Sequence, residues 1–554
     1  MNAASTVASS AASGTMWPQP LDPLHSVGLS ALLAAVPLMV VLVLMGGLRK
    51  SGLMASVCGL GAAGALALLV WRMPAALVVW SAAYGLLYAV WPILWIVFGA
   101  LWLYHLTQDT GKFDLLQRWM GENASGDACI QAILVAFCFG ALMEGTAGFG
   151  APVAVTACLL AGLGFEAHKA VIVALIANTA PVAFGGLGIP IVALAGVTGL
   201  GLQPLSAMVG RQVPVLSLVL PAYLVWVVGR REGLRRTWPA ALVAGGSFAA
   251  AQFLVSNFWG PYVTDVISST VSIAALVGFL KVWSPGGREL PRSGELGAEG
   301  PDAGGAGTGA LSREEVFAAW LPWAMLSVVM VLWSYLGLLQ VGQWVLAVPS
   351  LHNGVLITLY GRPYAALYTF QPMGPGTAVL VATVLTAMCF RVRPGVFWGS
   401  GAKAMRQLRA PGLTVMVIVG LAYLYNYSGM AFTLGAAVAR VGPVFPLLSG
   451  YLGWVACFLS GSDTASNLLF GNLQVAAAHQ LHLSPILLAA TNSSGAVAGK
   501  MISPQNIAIG VTTVGLVGQE GKILRATLWH SILLTGLLGT VALLQAYWWT
   551  GMIP

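Results

Sequence analysis

Glu144, Asp463 and Lys500 stand inside otherwise apolar stretches of a 554-residue chain: LMEGTAGFGAP (142–152), SGSDTASN (460–467) and TNSSGAVAGKMISPQN (491–506). Charge is costly in hydrocarbon, so an ionisable residue there is functional by default. Burial favours the neutral form of a carboxyl, which lets Glu144 load and release a proton; the same carboxyl can equally hold loop N–H groups. Asp463, followed by Thr464 and Ser466, reads either as a proton or cation site or as a helix cap. Lys500 is the only Lys between residues 404 and 521. It can pair with Asp463, attract a substrate carboxylate, or snorkel to the interface. Asp265 is a weaker third intramembrane acid.

A fourth polar segment, ANTAPVAFGGLGIP (177–190), carries Asn178, Thr179 and a cluster of glycines. All four segments interrupt apolar runs with Gly, Pro and small polar residues. A helix broken in hydrocarbon strands N–H and C=O groups, and is tolerated only where it is buried or lines an aqueous cavity. The N-terminus of each half-helix carries partial positive charge and free N–H donors, which suit a carboxylate. The expected substrate-binding set is therefore Gly145, Thr146, Gly148, Asn178, Thr179, Ser462, Thr464, Ser466, Asn492, Ser493, Ser494, Ser503 and Gln505, with Glu144, Asp463 and Lys500 as the proton-coupling set. Nothing here has the spacing of a catalytic or metal centre. The six Cys lack any CxxC pair, and no Walker A, HExxH or GxSxG motif occurs, which argues against an ATP-driven pump and against an enzyme.

The elements that must position these residues follow from composition. The chain is 58% hydrophobic and only 8% charged, with 68 Gly and 29 Pro, and its mean hydropathy is +0.84. A soluble domain carries about a quarter charged residues. Continuous apolar runs, rather than alternating ones, exclude a β-barrel. The expected fold is an all-α polytopic membrane protein with about 12–14 transmembrane helices of ~20 residues each. The formal charge of +8 fits basic cytoplasmic loops rather than nucleic acid. The strongest are GRREGLRR (229–236) and the Arg/Lys run from 391 to 409. Four spans between them (238–258, 260–282, 317–338 and 375–390) return the chain to the same side, so the two placements agree. Arg49 and Lys50, after the first span, put the N-terminus outside. Residues 340–374, rich in Trp, Tyr and Pro, read as an interfacial or loop segment.

The chain divides into an Ala/Ser-rich flexible tail (1–24), a first membrane half (25–283), a Gly/Pro/Glu-rich cytoplasmic linker (284–314) and a second half (315–554). An offset of 314 residues matches His168 to His482, Asn178 to Asn492 and Pro190 to Pro504. The span 211–228 ends at a basic loop, whereas 528–549 follows Lys522 and Arg525. The two halves therefore read as inverted-topology repeats with broken helices and re-entrant hairpins, which places a site for a small anion at the midplane.

At the four segments, MEGTAGFGAPVAVTA (143–157), ANTAPVAFGGLGIPI (177–191), GSDTASNLLFGNLQ (461–474) and TNSSGAVAGKMISPQNIA (491–508), the sequence resembles the lactate permease family. It departs from that pattern at Thr146 and Ala465. The resemblance implies a bacterial inner-membrane symporter that imports L-lactate and related 2-hydroxymonocarboxylates such as glycolate with protons. The proton gradient would drive it, with no cofactor, and its partners would be substrate, protons and lipid. A more distant likeness to the ion-transporter superfamily implies an elevator-type movement. The alternative is a sodium-coupled carboxylate transporter, with Asp463 and unwound carbonyls as the ion site. Oligomeric state is left open.

Overall fold

A computed structural model describes residues 16–48, 50–123, 127–146, 148, 150–284 and 311–554. Among these, nine helices are long and apolar enough to cross a membrane. The pair Ala167–Ala177 and Val182–Thr198, bent by 64° at its break, is a broken span or a re-entrant loop. The count falls below the expected 12–14 for two reasons: neighbouring apolar runs join into single helices, and the apolar helices Pro152–Gly162, Thr264–Leu280 and Pro375–Cys389 are shorter than a full span. Val213–Phe258 is 46 residues long, about 69 Å if straight and roughly twice the hydrocarbon core. It bends at Arg230 (φ 54°) and folds into a hairpin. A Cβ at Gly245 would sit 2.5 Å from the Leu218 carbonyl, so only Gly lets the limbs approach this closely. Ser217 Oγ donates to Gln252 Oε1 across the limbs at 2.7 Å.

Most of the expected linker, and residues 1–15 of the expected tail, lie outside the described residues. Residues 16–24 are not a free tail. Trp17–Pro18 pairs in parallel with Val355–Leu356, and the Gln19 amide donates to the carbonyls of Asn426 (3.0 Å) and Tyr427 (2.8 Å). The aromatic segment after residue 340 forms two small sheets. Trp344–Ala347 runs antiparallel to Leu367–Phe370, and Leu356–Ile357 pairs with Arg362–Pro363. Its tyrosines pack onto helices, with Tyr364 stacked on Tyr427 at 4.1 Å.

At the centre, one run of elements occurs twice. In the first half, Gly140–Thr146 enters a break, Ala151–Gly162 leaves it, Ala167–Ala177 returns, a short turn Val182–Phe184 follows, and Gly185–Thr198 leaves. In the second half the counterparts are Phe445–Ser460, Asp463–Gln480, Pro485–Gly499, Lys500–Ile502 and Pro504–Thr513. The sequence explains each break. Gly150 supplies the left-handed conformation (φ 86°) before Ala151. Gly186 and Gly188 supply left-handed conformations without strain, and Leu187 between them is left-handed as well. Ser462 and Ser503 cap their helices, accepting from the N–H groups of Ala465 and Asn506.

The two runs interlock. Asn467 and Asn472 donate to the carbonyls of Pro190 (3.1 Å) and Val197 (2.7 Å), which ties the fourth helix of one run to the second of the other. The span Ala128–Thr146, which delivers Glu144, is 94% buried inside the protein, against 28–56% for the other eight. It contains a π-helical stretch, Ala132–Phe139, a distortion found frequently at functional sites.

Candidate functional site

All four breaks line one cavity of about 860 Å³. Glu144 and Gly148 come from the first, Gly185 and Gly186 from the second, Ser462 and Asp463 from the third, and Lys500 and Gln505 from the fourth. Helix N-termini therefore gather around a single space, the arrangement that suits an anion. The remaining wall comes from Lys50–Leu53, Ala410–Ile418 and the start of the last long helix at Glu520. Basic residues stand at or next to each of these segments: Lys50, Arg409 and Lys522.

At the inner end of the cavity Lys500 Nζ donates to Glu144 Oε1 at 2.5 Å, with side chains 8% and 4% exposed. The pair joins the fourth break to the first and so crosses between the two runs. The other carboxylate oxygen, Oε2, accepts from Asn178 Nδ2 at 3.0 Å. A Cβ at Gly185 would lie 2.5 Å from Glu144 Oε1, so that glycine makes room for the carboxylate. Lys500 thus takes Glu144 as its partner rather than Asp463, the acid named from sequence. Asp463 instead accepts from Ser493 Oγ at 2.7 Å through Oδ2, and its Oδ1 has no hydrogen-bond partner among the described residues. Ser462, not Asp463, is the helix cap.

A family model described as L-lactate permease matches residues 30–549. The chain belongs to the L-lactate permease family. It is 40% identical to the glycolate permease GlcA of Escherichia coli (strain K12) over 97% of this chain and 99% of that one. It is also 40% identical to the L-lactate permeases of the same E. coli strain and of Bacillus subtilis (strain 168), over 97% of this chain and all of each relative. Among solved structures, the Alcanivorax borkumensis YdaH transporter is similar with a TM-score of 0.43 and 15% identity, over 83% of this chain and 86% of that one. The relatives are permeases, not enzymes. With nine helices among the described residues long and apolar enough to cross a membrane, the chain is a multi-pass bacterial membrane protein.

Within this permease the expected binding residues separate into two groups. Gly148, Ser462, Thr464 and Gln505 line the cavity together with Glu144, Asp463 and Lys500. The others stand behind the wall and hold the breaks in shape. Gly145 packs against Asp265, with 2.8 Å from an added Cβ to the Asp265 Cβ. Thr146 and Thr179 bond back to their own helices, at Leu142 O and Ile176 O. Ser466 donates to Gly453 O, and Asn492 donates to Ser466 Oγ and Asn467 Oδ1. Ser494 donates to Gln212 Oε1 at 2.7 Å. Ser503 is a cap.

Sequence reasoning missed several supporting residues. Gln212 donates to Thr491 Oγ1 and Gln545 Oε1 and so ties three elements together. Gln474 donates to Ser449 O and Asn492 Oδ1. Asn506 donates to Gly461 O across two breaks. Each is a carboxamide in an apolar segment, and that was the available signal. Asp265 is 1% exposed and lies beside the first break, against Gly145. Among the described residues no cluster of His, Cys, Asp and Glu could hold a metal.

Proposed function

We propose that this permease imports L-lactate, and the smaller glycolate, together with protons. The observation that carries the reading is the buried Lys500–Glu144 pair in a cavity lined by all four breaks. The substrates follow from the relatives' names, and both are small 2-hydroxymonocarboxylates. In the empty carrier the pair is neutral. An entering carboxylate competes for the Lys500 ammonium and for the helix N-termini at Ser462 and Ser503. Glu144, released from its counter-charge in a buried place, takes a proton from cavity water. The loaded site is again neutral: lactate on Lys500, and Glu144 as the acid.

Substrate alone leaves a bare carboxylate, and a proton alone leaves a bare ammonium. An uncompensated buried charge costs several kcal/mol, so neither half-loaded form crosses readily. One proton with one substrate is the stoichiometry this logic requires. Asn178 keeps Glu144 aimed at Lys500, and Asp463 is the second acid that could share the proton. Alternating access would come from movement of the two interlocked, oppositely oriented runs against the surrounding helices, as in an elevator.

The test is uptake of labelled L-lactate by proteoliposomes under an imposed pH gradient, with sodium replaced by choline. The expected result is accumulation that follows the gradient and ignores the replacement. Uptake that needs sodium and ignores the pH gradient would instead establish the sodium-coupled alternative.

A further inference from the structure

The hairpin tip GRREGLRR presents four arginines, and their surroundings differ. Arg236 forms an ion pair with buried Asp127. Arg230 lies over the Trp226 ring, 5.3 Å from its centroid. Arg231 and Arg235 are exposed and have no ion-pair partner among the described residues, although Glu232 is adjacent in sequence. With Leu234 and Trp238 they line a groove of about 330 Å³. The four positions follow i, i+3, i+4 and i+7, which is one face of a helix.

Trp238 is 54% exposed, and one turn further along that limb Leu242 is also 54% exposed. The face therefore passes from unpaired guanidinium through an interfacial Trp to lipid-facing Leu. This order matches a phospholipid, with a phosphate diester at the arginines, glycerol at the indole and acyl chain along the apolar turns. Guanidinium suits phosphate because its planar fork donates two parallel hydrogen bonds.

We propose that Arg231, Arg235 and Trp238 form a headgroup site for an anionic phospholipid of the cytoplasmic leaflet. Within this stretch the free charge is confined to Arg231 and Arg235, because its other two arginines are already engaged. The site is separate from the transport cavity, and it stands whether or not the substrate and coupling reading holds.

The test uses the full-length protein in nanodiscs of phosphatidylcholine with graded phosphatidylglycerol, with retained lipid counted by native mass spectrometry. The wild type is expected to retain phosphatidylglycerol selectively, and the R231Q/R235Q double variant to bind it about 30-fold more weakly. The R231K/R235K variant keeps the charge, and is expected to retain most of the selectivity and so to control for folding. Undiminished selectivity in R231Q/R235Q overturns the proposal. So does displacement of the lipid by millimolar inorganic phosphate, which would mark a site for a free anion. Equal loss in both double variants would assign the effect to folding and also overturn it.

Discussion

Glu144→Gln separates the two legs of the transport cycle. Gln keeps the side-chain length and a carbonyl that can accept from Asn178, but it neither binds nor releases a proton. With substrate on Lys500, the loaded site is neutral with either residue at position 144. Without substrate, the native site closes on its 2.5 Å ion pair, whereas the variant leaves an ammonium that is 8% exposed with no counter-charge. Removing one partner of a buried pair costs about 3–5 kcal/mol. Return of the empty carrier should therefore slow by roughly 150- to 5,000-fold. Two proteoliposome assays read the two legs. Counterflow, with labelled lactate outside and excess unlabelled lactate inside, needs only the loaded carrier and should stay near the native rate. Accumulation under a pH gradient needs the empty return and should fall to background. Gradient-driven accumulation by the variant would refute the reasoning, as would equal loss in both assays from a protein still folded and inserted at the native level.

Lys500→Met removes the ammonium that would hold the substrate carboxylate, while Glu144, freed of its counter-charge, takes a proton; uptake should vanish, and lactate accumulation by the variant would remove Lys500 from the path. Gly185→Ala places a Cβ 2.5 Å from Glu144 Oε1, and an overpacking cost of about 1–3 kcal/mol should cut gradient-driven uptake by roughly tenfold at normal expression in membranes. Gly495→Ala drives a Cβ into the Gly450 backbone, so the helices Phe445–Ser460 and Pro485–Gly499 must separate, and melting in detergent should drop by several degrees. Gln212→Leu removes the amide that joins Thr491, Ser494 and Gln545; it should lower thermal stability by about 1–3 kcal/mol, and an unchanged melting curve would show those bonds to be dispensable.

Much of the candidate site is legible in sequence because hydrocarbon makes polar residues conspicuous. The four breaks, Glu144, Asp463 and Lys500 stood out by type alone, and the structure brings them to one cavity. The offset of 314 residues pointed to two runs of elements, and two such runs are present. What remained hidden is three-dimensional. Lys500 meets Glu144, 356 positions away, and no local pattern encodes that choice over the nearer Asp463. Serines and asparagines in the breaks look alike in sequence. In space Gln505 and Ser462 reach the cavity, while Asn492 and Ser494 bond to other helices. Helix count was blurred because Arg230, at a basic tip, continues one long bent helix instead of ending it. Residues 16–24 looked like tail because their anchor is a carbonyl pair some 400 positions later.

The most direct test of the central claim is the position of bound L-lactate in an experimental map of the full-length protein at low pH. The account predicts density between the four breaks, with the carboxylate within hydrogen-bond distance of Lys500 Nζ and Glu144 displaced from that nitrogen. Density elsewhere, or lactate bound with the Lys500–Glu144 pair intact, would contradict it.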